Sequence, residues 1–172
     1  MKKVVFTFGA LSGGIPITVM VLGLIFGGPQ WEGALILGWT VIILSSLFIF
    51  IGIKSYRDNY NNGIITFGKA FQVGIFITLI SALMYTIVWE IVYFNFMNDL
   101  MDGYFAAEVE RLKTSGASQE EINKSIDFAT SYKTNPLVNA AMTIVEPTTI
   151  TVPMTLIASL VMKRKTKKEA TA

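Results

Sequence analysis

Long uncharged apolar stretches divide this chain. Val4 to Trp31, Gly33 to Ile53 and Ala70 to Trp89 carry no charged residue over 28, 21 and 20 positions, and Leu137 to Met162 carries only Glu146 in 26. A helix needs about 20 residues to cross a hydrocarbon core of about 30 Å. In lipid it also satisfies its own backbone hydrogen bonds. The pattern predicts four transmembrane helices, over about 4–26, 33–53, 70–90 and 137–162. Between the third and fourth the pattern turns amphipathic. Leu100, Tyr104, Phe105, Val109 and Leu112 recur at helical spacing, and Gly116 is a stop. Ser118-Gln-Glu-Glu121 has the form of a capping box, and Ile122, Ile126, Phe128, Ala129 and Tyr132 give the next helix an apolar side. A helical hairpin over about 98–134 is therefore expected above the outer ends of the bundle, its first helix able to continue the third span. The expected fold is all-α: residues 1–172 as one integral membrane four-helix bundle with an extracytoplasmic hairpin.

Composition agrees and narrows the chemistry. Hydrophobic residues make up 52% and charged residues 15%, against about 25% charged in ordinary soluble domains. There is no Cys and no His, which excludes disulfides, thiol nucleophiles, Cys/His zinc sites and a Ser-His-Asp triad. Of the 14 basic residues, ten flank one side: Lys2, Lys3, Lys54, Arg57, Lys69 and the tail Lys163, Arg164, Lys165, Lys167 and Lys168. Arg111, Lys113, Lys124 and Lys133 fall on the other. The positive-inside rule then puts both termini in the cytoplasm. Trp31, Trp39, Trp89 and Tyr93 fall near the outer interface, and Tyr56 and Tyr60 near the inner one. The apolar stretch after Lys2 and Lys3 is about twice a signal-peptide core of about 7–15 residues, so the first helix is expected to be retained.

Several motifs weaken on inspection. Gly63 to Ala70 nearly spells a phosphate-binding loop, but Ala70 replaces the magnesium-holding hydroxyl and Ile64, Ile65 and Phe67 crowd the turn. The basic tail either binds anionic lipid or a partner, at about 1 kcal/mol per base, or simply anchors topology. Gly9-x-x-x-Gly13 and Gly23-x-x-x-Gly27 form a candidate helix-packing face, open either to a homodimer or to intramolecular packing.

The sharpest local signal is a pair of membrane carboxylates, Glu90 and Glu146. A charge near the bilayer centre costs about 2.5–3.5 kcal/mol on insertion scales, which makes such residues candidates for function. Thr86, Glu90 and Tyr93 share a face of the third helix. Asn139, Thr143, Glu146, Thr149 and Pro153 are expected to share an inward face of the fourth. Facing carboxylates at similar depth could share a proton or bind a cation, or each could be satisfied locally as polar glue between helices.

The segments KKVVFTFGALSGG (2–14), GIKSYRDNYNNGIITFGKAFQVGIFITLI (52–80), YTIVWEIVYFNFMNDLMDGY (85–104) and NPLVNAAMTIVEP (135–147) together resemble the bacterial membrane family called domain of unknown function 4199. That family occurs mainly in Bacteroidetes and their relatives, and the resemblance covers nearly the whole chain. It implies a four-helix protein of the inner membrane and no activity. Tyr56-Arg57-Asp58, Trp89-Glu90 and Glu146-Pro147 are the polar features it leaves to test. The expected function is a non-enzymatic interaction or assembly role with no cofactor and no nucleic acid. The expected partners are the lipid bilayer and either a second copy or another membrane protein. The alternative is a small transporter or proton/cation-handling protein using Glu90 and Glu146.

Overall fold

A computed structural model describes residues 1–27 and 34–164. Trp31, the tail bases Lys165, Lys167 and Lys168, the side chains of residues 98–100 and the surroundings of Gly27 lie outside the described residues. The first helix, α1 (Lys2–Leu22), ends in a π turn, Gly23–Gly27. It is followed by α2 (Ala34–Tyr60) and α3 (Phe67–Val92). A second π turn, Tyr93–Met97, carries α3 into α4 (Asn98–Thr114), and α5 (Gln119–Thr134) and α6 (Pro136–Met162) complete the chain.

Among the described residues, four helical stretches are long and apolar enough to cross a membrane: Lys2–Phe26, Ile36–Tyr60, Phe67–Met97 and Pro136–Met162. The second extends to Tyr60, beyond the expected Ile53, because nothing between Lys54 and Asp58 breaks a helix. The third begins at Phe67, where the Thr66 hydroxyl accepts the Lys69 amide at 3.3 Å. Asn135 caps α6 in the same way, accepting from the amides of Leu137 and Val138, with Pro136 at the first helical position.

The bundle is tightest at its terminal end, where α1 begins and α6 ends. Val4 and Val5, Ile49, Ile53 and Tyr56, Ile65, Ala70, Val73 and Ile77, and Ala158 bury one another there. A short link closes that end. Asn62 and Gly63 take positive φ in the turn after α2. Ile65 and Arg164 then exchange backbone hydrogen bonds at 3.1 and 2.8 Å. Arg57 is bonded to Asp58 at 2.7 Å and donates to the Met162 carbonyl at 3.2 Å, joining α2 to the end of α6.

Higher in the bundle the contacts are made by small residues. Ala70, Gly74, Thr78, Ala82 and Thr86, every fourth position of α3, are all buried. Asn139, Thr143, Pro147, Thr151 and Thr155 form the matching row on α6, and Thr78 and Thr155 hydroxyls meet at 2.9 Å. Small side chains at four-residue spacing let helix backbones approach closely in lipid. At the far end α4 and α5 lie side by side, Phe105 against Phe128 and Tyr132, with Lys133 bonded to Asp102.

Candidate functional site

The α6 row corrects the expected inward face. It steps by four through Thr143, Pro147 and Thr151, so Pro147, not Glu146, points inward. Glu146 and Thr149 are exposed beside it. Close approach to α3 selects small side chains, and a carboxylate fits only at the margin. Asn139 and Thr143 are buried as expected.

Thr86, Glu90 and Tyr93 do share one face of α3. Thr86 is 5% exposed, Tyr93 is fully buried and Glu90 is half-buried. Thr86 Oγ1, Glu90 Oε1 and Tyr93 OH are each buried with no hydrogen-bond partner among the described residues. Around them the polar groups are already engaged. Trp89 Nε1 donates to Tyr132 OH and to Asn139 Oδ1, both at 3.1 Å. Asn139 Nδ2 donates to the Tyr132 carbonyl at 3.2 Å, and Thr143 Oγ1 donates to Asn139 Oδ1 at 3.3 Å. This network ties α3, α5 and α6 together through Asn139, with Trp89 and Tyr132 as its other joints.

Aromatic rings wall the site. Tyr85, Trp89 and Tyr93 stack along α3 at 6.4 and 5.9 Å, and Tyr93 meets Tyr132 edge-on at 5.4 Å. Burial pushes the Tyr132 hydroxyl above its ordinary pKa. Its hydrogen bonds with Thr143 and Trp89 oppose that rise, and the charges of Glu146 and Glu90 add to it. Tyr132 thus lies within electrostatic reach of both carboxylates, which make no hydrogen bond with each other. Thr86, Glu90 and Tyr93 line one side of α3 and the start of its π turn, and Glu146 stands exposed on α6.

Toward the bundle centre lies a cavity of about 20 Å³, room for one water molecule. Ser12, Ser45, Thr78, Ser81, Tyr85 and Thr151 supply its hydroxyls.

The candidate glycine face divides. A Cβ on Gly9 would sit 2.7 Å from Ile80, and one on Gly13 would sit 2.9 Å from the Ser81 carbonyl oxygen, so both pack on α3 within the chain. Gly23 faces open space. Sequence reasoning missed two glycines of the same kind. A Cβ on Gly52 would meet Ile77 and Phe8, and one on Gly74 would meet Thr155 at 2.8 Å. The row of small residues every four from Ala70 to Thr86 was the available signal for Gly74. Gly63 sits in a turn, and Lys69 bonds Gln72 at 2.9 Å and lies over the Tyr56 ring, so nothing there cradles a phosphate. No cluster of three Asp or Glu suited to a metal ion occurs among the described residues.

Compared with known proteins, residues 7–164 match the profile of a family described as "Protein of unknown function (DUF4199)". No curated protein and no solved structure matches the chain.

Proposed function

Because the chain belongs to the DUF4199 family, whose description assigns no activity, we propose its role from geometry: a non-enzymatic, multi-pass protein of the bacterial inner membrane that works by interaction or assembly. The termini lie in the cytoplasm, and the α4–α5 pair lies outside as a helical hairpin. Support for that orientation comes from Lys2, Lys3, Lys54, Arg57, Lys69, Lys163 and Arg164, which all belong to the terminal end.

The observation that carries the interaction role is Glu146. It is exposed, ten residues and about 15 Å along α6 from Pro136, where a bare carboxylate would face hydrocarbon. A second membrane chain bringing a polar group to that level removes the cost. At the same level of the bundle, marked by Pro16, Ile42 and Pro147 around one cavity, further surface is open to such a partner. No described residue of α1 after Gly13, or of α2 before Ser45, is buried, so this half of the bundle is loosely closed. Gly9 and Gly13 are already used within the chain, which leaves the end of α1 near Gly23 and the start of α2 as the docking side.

The cysteine-free sequence gives a clean test. Single cysteines replacing Leu22 or Ile43 should cross-link in native membranes to a second copy or another membrane protein, more than Ile51→Cys nearer the terminal end. Glu146→Gln should weaken that cross-linking. Monomer-mass product alone at every position would end the reading.

A second reading, proton or cation handling, is favoured by Tyr132, within reach of both Glu90 and Glu146. It requires Glu146-dependent movement of protons, cations or small solutes in proteoliposomes, and fails without it.

A further inference from the structure

We propose that Thr86, Glu90 and Tyr93 form a binding site for one monovalent alkali cation. The three residues stand at i, i+4 and i+7, neighbours on one helix face. Tyr93 stands where α3 passes into the π turn, its ring stacked on Trp89 and edge-on to Tyr132, on the same side of the helix as Thr86 and Glu90. Each contributes an oxygen that is buried and unpartnered. Native proteins hold only a few such atoms per domain, and three within eight residues call for a common partner.

The surroundings say what that partner is. The N–H donors nearby are engaged, Trp89 Nε1 on Tyr132 and Asn139 and Asn139 Nδ2 on the Tyr132 carbonyl, and the Thr143 hydroxyl is bonded to Asn139. The basic residues of α4 and α5 are spent too. Arg111 is bonded to Glu108, Lys113 to Glu110, Lys124 to Glu120 and Lys133 to Asp102. Glu90 therefore has no cationic side chain of its own among the described residues of these helices. What fits is a small positive guest that accepts three oxygen donors. With one carboxylate in the set the charge matches a monovalent ion, since divalent sites draw on several. Glu146, exposed on α6, is not part of it. Stacked Tyr85, Trp89 and Tyr93 keep water away and strengthen the attraction, while half-buried Glu90 leaves the ion a way in. The π turn begins at Tyr93, and such turns inside helices recur at functional sites because they re-aim side chains.

The site lies within one chain, so it does not rest on the partner reading. It also does not use Glu146, which separates it from the two-carboxylate reading. The test uses the full chain in nanodiscs with Trp31→Phe and Trp39→Phe, leaving Trp89 as the fluorescent reporter. NaCl is titrated against N-methylglucamine chloride at constant ionic strength, with KCl as a second arm. Trp89 emission and Tm should change saturably with the alkali cation. Glu90→Gln should abolish the response, Tyr93→Phe should weaken apparent affinity about tenfold through loss of one ligand, and Glu146→Gln should leave it within about twofold. Should Glu90→Gln not fold, Thr86→Val carries the same test, with an expected weakening of about tenfold. Three results overturn the proposal: no dependence on either cation, an undiminished response in Glu90→Gln or Thr86→Val, or a response to pH alone.

Discussion

At the scale of single residues, the glycines of α1 show how little a composition motif says before its surroundings are known. Gly13 and Gly23 look alike in sequence, yet one faces the Ser81 backbone and the other open space. Gly13→Ala should destabilise the bundle by about 1–3 kcal/mol, because backbone atoms yield less readily than the end of a side chain. Gly23→Ala should be neutral or stabilising by up to about 1 kcal/mol, because α-helical φ and ψ at Gly23 suit alanine. Unfolding in mixed micelles followed by circular dichroism ranks the two, and the opposite order would refute this packing. Asn139 is the polar counterpart. Asn139→Leu strands the Thr143 hydroxyl and the Tyr132 carbonyl and leaves Trp89 bonded to Tyr132 OH alone, and a loss of about 1–3 kcal/mol with a shifted Trp89 emission is expected.

At the scale of elements, the ends of the helices are written in local chemistry. Ser118 and Glu121 form a reciprocal capping box at the start of α5. The Ser118 amide, then the Ser118 hydroxyl, hydrogen-bond the Glu121 carboxylate and hold its pKa below the ordinary value. A carboxyl lowered in the folded state stabilises that state above its unfolded pKa of about 4.3, and the contribution disappears as pH falls through the lower folded value. Hydrogen exchange in the first turn of α5 should therefore accelerate in acid below about pH 4, corrected for intrinsic rates. In Glu121→Gln that acid-dependent step should vanish, and its persistence would assign the effect to another group. The capping box was legible because its partners are three residues apart. The row of small residues on α6 was harder to read. Spacing alone admits either Glu146 or Pro147 after Thr143, and only contact with α3 chooses between them.

For the whole molecule, closure is uneven. Apolar core residues seal the terminal end, hydroxyls and a small cavity follow, and the opposite half of α1 and α2 buries nothing among the described residues. Burial drives this only in part, since lipid is as apolar as leucine and close packing must hold the helices. A fluorescent protein that matures only in the cytoplasm, fused behind Ala172, should be bright in intact cells. A dark fusion that becomes active when replaced by alkaline phosphatase would reverse the orientation.

The amino-acid sequence alone determined the four membrane-length helices, the capping box of α5 and the presence of two costly carboxylates, because each depends on residues within a few turns of one another. Only the tertiary structure decided which glycines are covered, that Pro147 faces α3 while Glu146 is exposed, and that Tyr132 from α5 meets Trp89 and Tyr93. Those outcomes depend on how α3 and α6 are rotated about their own axes. That rotation is set by the fit of small residues between helices more than forty positions apart in the chain, which no local pattern encodes.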